Sequence, residues 1–353
     1  MGIMNKQKDG YTKLLFLLLI GCILFFVAEI ALGSVNIPLS ALIDILLQNK
    51  AESQAWTSII LNIRFPRAVT AFSAGAGLAV AGLLMQTLFS NPLAGPSVLG
   101  ISSGASFGVA TVLLGAGSSI TLQTLREMGI AGSWLMAGAS ALGASAVLLL
   151  VLVISFRVKD AVVLLITGLM IGNMTLAIVS IWQYFSAPEL IRDYLLWTFG
   201  NLGNVTGHHL FVMNICIVLG IIAAFLISKP LNMLLLGENY AQSMGMHIKR
   251  NRILIIMVTG LLTGSITAFC GPLAFVGIAV PHLARGLVKT SNHLKLIPVC
   301  VLCGALVMII CDLIARLPGS SSSLPVNAVT SLAGSPVVIW VILKGQNLQR
   351  NFR

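Results

Sequence analysis

The sequence predicts an all-α integral membrane protein, and its composition and the length of its apolar runs support this fold class. Of the 353 residues, 57% are hydrophobic and only 9% are charged, whereas a soluble domain is about 25% charged. The apolar runs are roughly 17–25 residues long, which favours membrane helices over the alternating strands of a barrel. We therefore expect a helical bundle that satisfies its backbone polar groups within each helix.

Breaks between the apolar runs predict about ten spans in a single transmembrane domain, residues 1–353. The first run is too long for a signal-peptide core, so we interpret it as a retained span. Most of the 21 Lys and Arg residues fall in segments that an N-in, C-in topology places inside, as expected for membrane proteins. The predicted spans lie near 14–33, 66–88, 97–116, 133–155, 161–184, 208–228, 253–270, 273–289, 296–315 and 327–344.

Two outer segments, 34–60 and 187–205, mix apolar and charged residues at helical spacing. They are predicted to be interfacial helices, with Trp56 and Trp197 as headgroup-level anchors. A faint similarity between the second and third spans and the seventh and eighth spans hints at the inverted repeat found in many transporters.

Several function classes are excluded. The net charge of +11 follows from the basic inner loops, so no nucleic-acid partner is predicted. The six cysteines all lie in apolar runs and are interpreted as packing thiols, without a metal. The sequence has no Gly-x-x-x-x-Gly-Lys-Ser/Thr phosphate loop and no paired acid and base. We therefore expect neither an enzyme nor a cofactor, and any ATP must be bound by another subunit.

A few polar residues lie near the ends of the spans. Glu29 and Asp312 are expected near the outer ends of their spans, where a carboxylate can reach the interface. His208 and His209 begin the sixth span on the outer side. Contact with a metal or haem is an open alternative for them, but interfacial solvation is favoured.

The inner loop 230–252 is the most informative stretch. Leu231 to Leu236 form an apolar stripe that Gly237 breaks, and Glu238 to Met244 provide about two further helical turns, ended by Gly245. A short helix–break–helix with one apolar face is suited to a groove on another protein. A solvated connector is the alternative, but it leaves the exposed leucines unexplained.

Two further motifs lie at the ends of the second span. Arg64-Phe-Pro-Arg67 opens it on the outer side, with Pro66 in the first helical turn. Two interpretations of its arginines and of Arg316 are open. They either face the outer water and meet an acidic partner, or they serve as snorkelling anchors. On the inner side, Ser90-Asn91-Pro92-Leu93-Ala94-Gly95-Pro96 is a rigid turn, and such irregular backbone is tolerated at membrane depth only where it is covered or lines a cavity. It is a gate candidate.

Taken together, these motifs resemble the iron-chelate/vitamin B12 class of ABC importer permeases, over nearly the whole chain. The residues that carry the resemblance are Arg64-Phe-Pro-Arg67, Gly82 with Gln86, Asn91-Pro-Leu-Ala94 with Pro96, Leu99-Gly100 with Gly104-Ala105, Leu236-Gly237-Glu238 with Ala241 and Gly245, Phe275-Val-Gly277 with Pro281-His282 and Arg285, Asp312 with Arg316, and Leu324-Pro325-Val326, Thr330 and Gly334-Ser-Pro336.

The resemblance implies a subunit of the cytoplasmic (inner) membrane that pairs with a second copy of itself around a central pathway. It further implies that two ATPase subunits dock on the inner loop, at Leu236, Gly237, Glu238, Ala241 and Gly245. A periplasmic or lipid-anchored binding protein would meet Arg64, Arg67 and Arg316. The inner gate would comprise Asn91, Pro92, Leu93, Ala161 and Val162.

The chain departs from the family pattern at several positions. Ser323 and Asn327 stand where relatives usually carry Glu and Gly, and positions 161 and 162 are apolar rather than hydroxylated as in the cobalamin branch. These departures weaken an assignment of cobalamin and leave iron chelates and tetrapyrroles open. An autonomous secondary transporter or channel is the alternative function, but no charged group is predicted at the midplane to drive it.

Overall fold

The computed structural model describes residues 2–33, 35, 37–48, 53–115, 124, 127–158, 160–316 and 323–350. Every regular element in these ranges is helical. The helices are α1 Gly2–Ala31, α2 Leu39–Gln48, α3 Gln54–Ile59, α4 Phe65–Leu88, α5 Ile101–Leu113, α6 Ile130–Ser155, α7 Ala161–Phe185, α8 Pro188–Thr198, α9 Gly207–Leu226, α10 Ser228–Leu234, α11 Glu238–Ser243, α12 Ile248–Cys270, α13 Val276–Val288, α14 His293–Arg316 and α15 Val326–Arg350.

Each predicted span overlaps one of these helices, so the all-helical fold is confirmed. Within the described ranges, 7 helical segments are long and apolar enough to cross a membrane. The helices α5 and α13 have only 13 residues each. At about 1.5 Å per residue they are shorter than the hydrocarbon core, which is about 30 Å thick. The orientation and the inverted repeat stay predictions.

The predicted third span is wrong at its start. Pro96–Leu99 forms a 3-10 turn, and α5 begins only at Ile101. Gly100 separates the two with φ +73, a conformation that suits glycine. A Cβ at Gly100 would also crowd the backbone of Gly172 on α7. The absence of a side chain at Gly100 therefore lets these two backbone segments lie close together. Residue 116, the predicted end of this span, lies outside the described residues.

The start of the second span also differs from the prediction. Pro66 lies in the first turn of α4, as predicted, but α4 does not start freely, because a helical segment that begins at Gln54 continues through a π turn, Ile60–Arg64, into it. Proline lacks the N–H needed for a regular helical bond. A π turn just before it shifts the bonding register there, so the helix continues past Pro66.

The α4 helix forms the centre of the bundle and is buried along most of its length. A Cβ built on Gly82 would overlap the carbonyl oxygen of Gly277 on α13, and one on Gly75 would overlap that of Gly304 on α14. These contacts confirm that small residues let the helices approach closely. They hold α4 against both neighbours.

The two predicted interfacial segments are helical where the structure describes them. Residues 34–60 contain α2 and α3, with 34, 36 and 49–52 outside the described residues. Residues 187–205 contain α8. Trp56 and Trp197 are half-buried and pack against the hydrophobic clusters of the bundle, so each ring contributes to packing. Their position at a membrane surface stays a prediction.

Candidate coupling loop, gate turn and outer charge cluster

The 230–252 loop folds as a helix, a break and a second helix, as its sequence predicts. Gly237 separates α10 from α11 with φ +95, and Gly245 separates α11 from α12 with φ +85. Side chains with a Cβ rarely adopt this backbone conformation. The two glycines therefore fix the ends of α11, which has 6 residues.

The loop has one face against the bundle and one face outward. Leu231 and Ala241 are fully buried in the main core. The opposite face exposes large apolar side chains, with Leu236 62% and Tyr240 64% accessible. We call this outward set the loop patch; it consists of Leu235, Leu236, Tyr240 and Met244. Exposed apolar side chains grouped on one short segment are typical of a docking surface.

Arg252 anchors the loop to the bundle. Its side chain is only 4% exposed, and its Nη2 donates to Glu238 Oε1 at 2.8 Å. Its Nη1 donates to the carbonyl oxygen of Val158 at 2.9 Å. Glu238 therefore orients α11 through an internal ion pair, and the sequence motif gave no indication of this partner. A cavity of about 770 Å³ opens beside these residues.

The gate turn, residues 90–96, is fixed by hydrogen bonds. Asn91 Oδ1 accepts from the backbone N–H of Leu93 at 2.9 Å. His282 of α13 donates from Nε2 to the carbonyl oxygen of Pro92 at 2.7 Å. Pro92 and Leu93 remain exposed. The turn is thus a rigid, accessible segment anchored to α13.

The other predicted gate residues lie at the start of α7. Asp160 caps this helix, and its carboxylate accepts from the N–H groups of Val162 and Val163 at 2.6 and 3.1 Å. Ala161 is half-buried and Val162 is 56% exposed. The 3-10 turn that follows the gate turn packs on α7, where a Cβ at Gly168 would meet the carbonyl oxygen of Val98. The gating role of these residues stays a prediction.

On the predicted outer side, Arg64 does not point at water. The side chain is buried, and its guanidinium donates to the carbonyl oxygens of Ile30, Ala31 and Val35 at 2.9, 2.8 and 2.5 Å. The last carbonyls of a helix lack intrahelical partners, and those of α1 obtain one from Arg64. This arginine therefore caps α1, which corrects the expectation that its charge faces the outside.

The other outer arginines belong to a buried charge cluster, which comprises Glu29, Arg67, Asp312 and Arg316. Arg67 donates from Nε and Nη2 to both carboxylate oxygens of Asp312, at 2.7 Å each. Arg316 pairs with Glu29 and lies 3.7 Å from Asp312 Oδ2. Both carboxylate side chains are 0% exposed. The expectation that they reach the interface is therefore wrong, because each is neutralised by an arginine inside the protein.

Only small parts of Arg67 and Arg316 remain accessible, 16% and 15% of their side chains. Their guanidinium groups join the outer ends of α1, α4 and α14. This pairing is invisible in the local sequence, because Arg67 and Asp312 are 245 positions apart. Docking of a binding protein on these arginines stays a prediction.

His209 lines a cavity of about 320 Å³ between the ends of α6, α9 and α12. Its ring centroid lies 4.3 Å from that of Trp134. Its Nε2 is buried and has no hydrogen-bond partner among the described residues, whereas His208 is exposed. Interfacial solvation thus fits His208 but not His209. In the described ranges, no group of three or more His, Cys, Asp or Glu could hold a metal ion.

Asn327, one of the departures from the family pattern, has a defined structural role. Its Oδ1 accepts from the backbone N–H of Ala274 at 3.1 Å, and its own N–H donates to the carbonyl oxygen of Phe199 at 3.2 Å. A glycine at this position would lack the first bond. Ser323 is exposed, and nothing in the structure explains its presence.

Comparisons with known proteins extend over most of the chain. A model of the FecCD transport family matches residues 18–344. The vitamin B12 import system permease protein BtuC of Salmonella paratyphi A is 35% identical over 286 residues, 81% of this chain and 83% of that protein. An ABC transporter permease protein of Methanocaldococcus jannaschii is 33% identical, covering 96% of this chain and 98% of its own length.

The fold is also that of a solved transporter. The structure of a metal-chelate type ABC transporter in an inward-facing conformation matches with a TM-score of 0.81 at 27% identity, covering 94% of this chain and 99% of that one. These matches confirm the resemblance and the permease interpretation. The chain therefore belongs to the FecCD transport family and is a multi-pass permease subunit of the inner membrane.

Proposed function

We propose that this chain is the permease of a binding-protein-dependent ABC importer that carries an iron chelate or a tetrapyrrole across the inner membrane. Two copies enclose the pathway, and two separate ATPase subunits drive it. The chain itself holds no cofactor, because ATP is bound by the partner. The observation that carries this proposal is the loop patch, an outward apolar surface on a segment that ends at Gly237 and Gly245 and is anchored to the bundle by Arg252.

The loop supports ATPase docking for a physical reason. Tyr240 is exposed on a short helix whose opposite face is buried in the bundle, and Leu236 is exposed in the turn before that helix. A large aromatic or aliphatic side chain that enters a pocket on a partner contributes most of the binding energy of such interfaces. Because α11 is fixed to the core through Ala241 and Glu238, a force applied to the patch reaches the bundle.

The outer side is proposed to receive the binding protein. Arg67 and Arg316 keep a small accessible fraction, and Arg64, which bonds backbone carbonyl oxygens and no carboxylate in the described ranges, adds a positive charge near the cluster. The resulting positive charge favours an acidic docking surface and accelerates encounter. Arg64 contributes through α1, whose end it caps, and not by direct contact.

Among substrates, the proposal covers ferric siderophores, haem and cobalamin. The relatives named above support vitamin B12 and metal chelates as substrate classes. The apolar residues Ala161 and Val162 at the predicted gate suit a bulky ligand with an apolar surface. We expect the binding protein to set most of the specificity.

Uptake into proteoliposomes tests this function. The chain is reconstituted with its ATPase and binding protein, and uptake of labelled cobalamin, haem or a ferric siderophore is measured with and without ATP. We expect accumulation of one of these classes only when both partners and ATP are present. Uptake by the chain alone would contradict the proposal and support an autonomous transporter.

A further inference from the structure

A chain of three polar side chains, the half-buried Asn232 and the buried His293 and Thr87, joins the coupling loop to the end of α4. Asn232 of α10 accepts at Oδ1 from the backbone N–H of His293 at 2.9 Å and from its ring Nδ1 at 2.7 Å. The other ring nitrogen, Nε2, lies 2.8 Å from Thr87 Oγ1. His293 is only 1% exposed. Three helices, α10, α14 and α4, therefore meet at one imidazole.

The bonding pattern fixes the chemistry of this triad. An amide oxygen can only accept, so the proton of a neutral His293 ring lies on Nδ1 and Nε2 accepts from the Thr87 hydroxyl. Hydrogen bonds weaken steeply when their length or angle changes. The triad is therefore satisfied in one relative position of α10 and α4, whereas apolar contacts tolerate sliding.

The triad can also open without leaving Thr87 unsatisfied. The Thr87 hydroxyl lies 2.9 Å from the carbonyl oxygen of Leu83, one turn earlier in α4. When His293 withdraws, the hydroxyl can turn its single proton from Nε2 to this local acceptor. A buried polar group with an alternative acceptor lowers the energetic penalty of opening the triad, as an element with two discrete arrangements requires.

Beyond Thr87, the contacts lead to the gate turn. Thr87 lies in the last turn of α4, next to the residues that form the gate turn. Its neighbour Gln86 donates from Nε2 to the carbonyl oxygen of Ile278 at 3.1 Å and accepts from Arg285. The same helix, α13, holds Pro92 of the gate turn through His282. The end of α4 and the gate turn are thus attached to one helix.

We propose that the Asn232–His293–Thr87 triad transmits displacement of the coupling loop to the gate turn. The inference rests on the proposed function, in which the ATPase moves the loop and the turn gates the pathway. The three side chains act as positioning residues and contact neither partner nor substrate. The loop patch and the triad therefore have separable roles, since the patch binds the ATPase and the triad transfers its movement.

A matched pair at Thr87 tests the proposal. Thr87→Val keeps the shape of the side chain and removes the hydroxyl, whereas Thr87→Ser keeps the hydroxyl. In proteoliposomes, substrate imported per ATP hydrolysed is measured alongside co-purification of the ATPase. We expect Thr87→Val to keep co-purification and ATP hydrolysis while the ratio falls roughly twofold to thirtyfold, the range for residues that carry coupling. Thr87→Ser should stay near the wild-type ratio.

A second pair tests the loop end of the triad. Asn232→Ala should lower the same ratio, whereas Asn251→Ala should not, because within the described part of the chain the Asn251 amide bonds locally, to the carbonyl oxygen of His247 just before its own helix. The double variant Asn232→Ala/Thr87→Val should be no worse than the poorer single variant, since both changes break one chain of bonds.

Wild-type ratios in both Thr87→Val and Asn232→Ala would overturn the proposal, and so would fully additive losses in the double variant. A purely structural role would lower unfolding stability and leave the ratio unchanged. Failure of the proposed function has a different signature. In that case the ATPase would not co-purify with the wild-type chain, and no ratio could be measured.

Discussion

The outer charge cluster and the inner loop carry similar sequence signals and both pair their charges inside the protein, but the loop also exposes a set of large apolar side chains. Both place charged residues at the edge of a membrane span, a pattern that suggests contact with a partner. In the outer cluster the charges face inward, and Asp312 is completely buried. In the loop, the ion pair between Arg252 and Glu238 is turned inward, while Tyr240 remains exposed.

This difference shows that charge at a span end is weak evidence of a docking surface. An arginine near lipid gains more by pairing or by capping a helix end than by facing outward alone. Arg64 caps α1, and Arg67 binds Asp312 through both oxygens. The outward surface of the loop instead consists of apolar side chains that are exposed and do not pack into the bundle.

The sharpest test of this contrast is Asp312→Asn. Losing the carboxylate leaves Arg67 and Arg316 buried without their shared counter-charge, and breaking a buried pair costs about 3–5 kcal/mol. We expect a drop of this size in the free energy of unfolding in detergent. Glu189→Gln, the same change at an exposed position of α8, is the control and should unfold as the wild type does. Equal stability of both variants would contradict the structural role of the cluster.

The next effect is expected at Arg252. Arg252→Ala removes the bonds to Val158 and Glu238, and hydrogen bonds to charged groups contribute about 1.5–3 kcal/mol each. Chemical unfolding should show a loss of this order, together with faster proteolysis of the loop. Arg250 is exposed two positions earlier, and Arg250→Ala should change neither quantity. A loss confined to the Arg250 variant would refute the anchoring role of Arg252.

A binding effect of similar size is expected at the loop patch. Tyr240→Ala should weaken ATPase binding by about 2 kcal/mol, roughly thirtyfold in Kd, because exposed aromatic anchors dominate such interfaces. Its unfolding should be unaffected. Tyr184→Ala removes an even more exposed tyrosine at the far end of α7, 83% accessible against 64% for Tyr240, and serves as the control in the same titration. If both variants bind the ATPase equally well, the loop patch is not the docking surface.

The smallest change in stability is expected for Glu238→Gln. The Glu238 side chain is 36% exposed, and partly solvated ion pairs contribute about 0–1 kcal/mol. The glutamine still offers Arg252 an acceptor, so unfolding should shift by less than in Asp312→Asn. A loss as large as that of Asp312→Asn would mean that the ion pair of the loop contributes as much to the free energy of unfolding as the outer charge cluster does.

The parts that the sequence predicted well depend on local physics. The helices follow from apolar runs that must satisfy their own backbone groups in lipid. The breaks around α11 follow from Gly237 and Gly245, whose positive φ angles suit glycine. The third span was misjudged because Gly100 also has a positive φ, which an apolar run does not reveal.

The pairing of polar groups could not be predicted. Arg67 and Asp312 are separated by 245 positions, and Thr87 and His293 by 206. Which arginine meets which carboxylate depends on how closely α1, α4 and α14 approach. That approach depends in turn on glycine contacts such as Gly75 with Gly304.

By itself, the sequence determined that this chain is a helical membrane permease with an inner loop suited to a partner, because hydrophobicity and glycine breaks act over short distances. Only the tertiary structure decided which charges are exposed. Burial in a low-dielectric bundle makes an unpaired charge expensive. In the packed bundle the outer arginines therefore bond to carboxylates and carbonyl oxygens of neighbouring helices. The same packing leaves the loop patch exposed and connects Asn232 to Thr87 through His293.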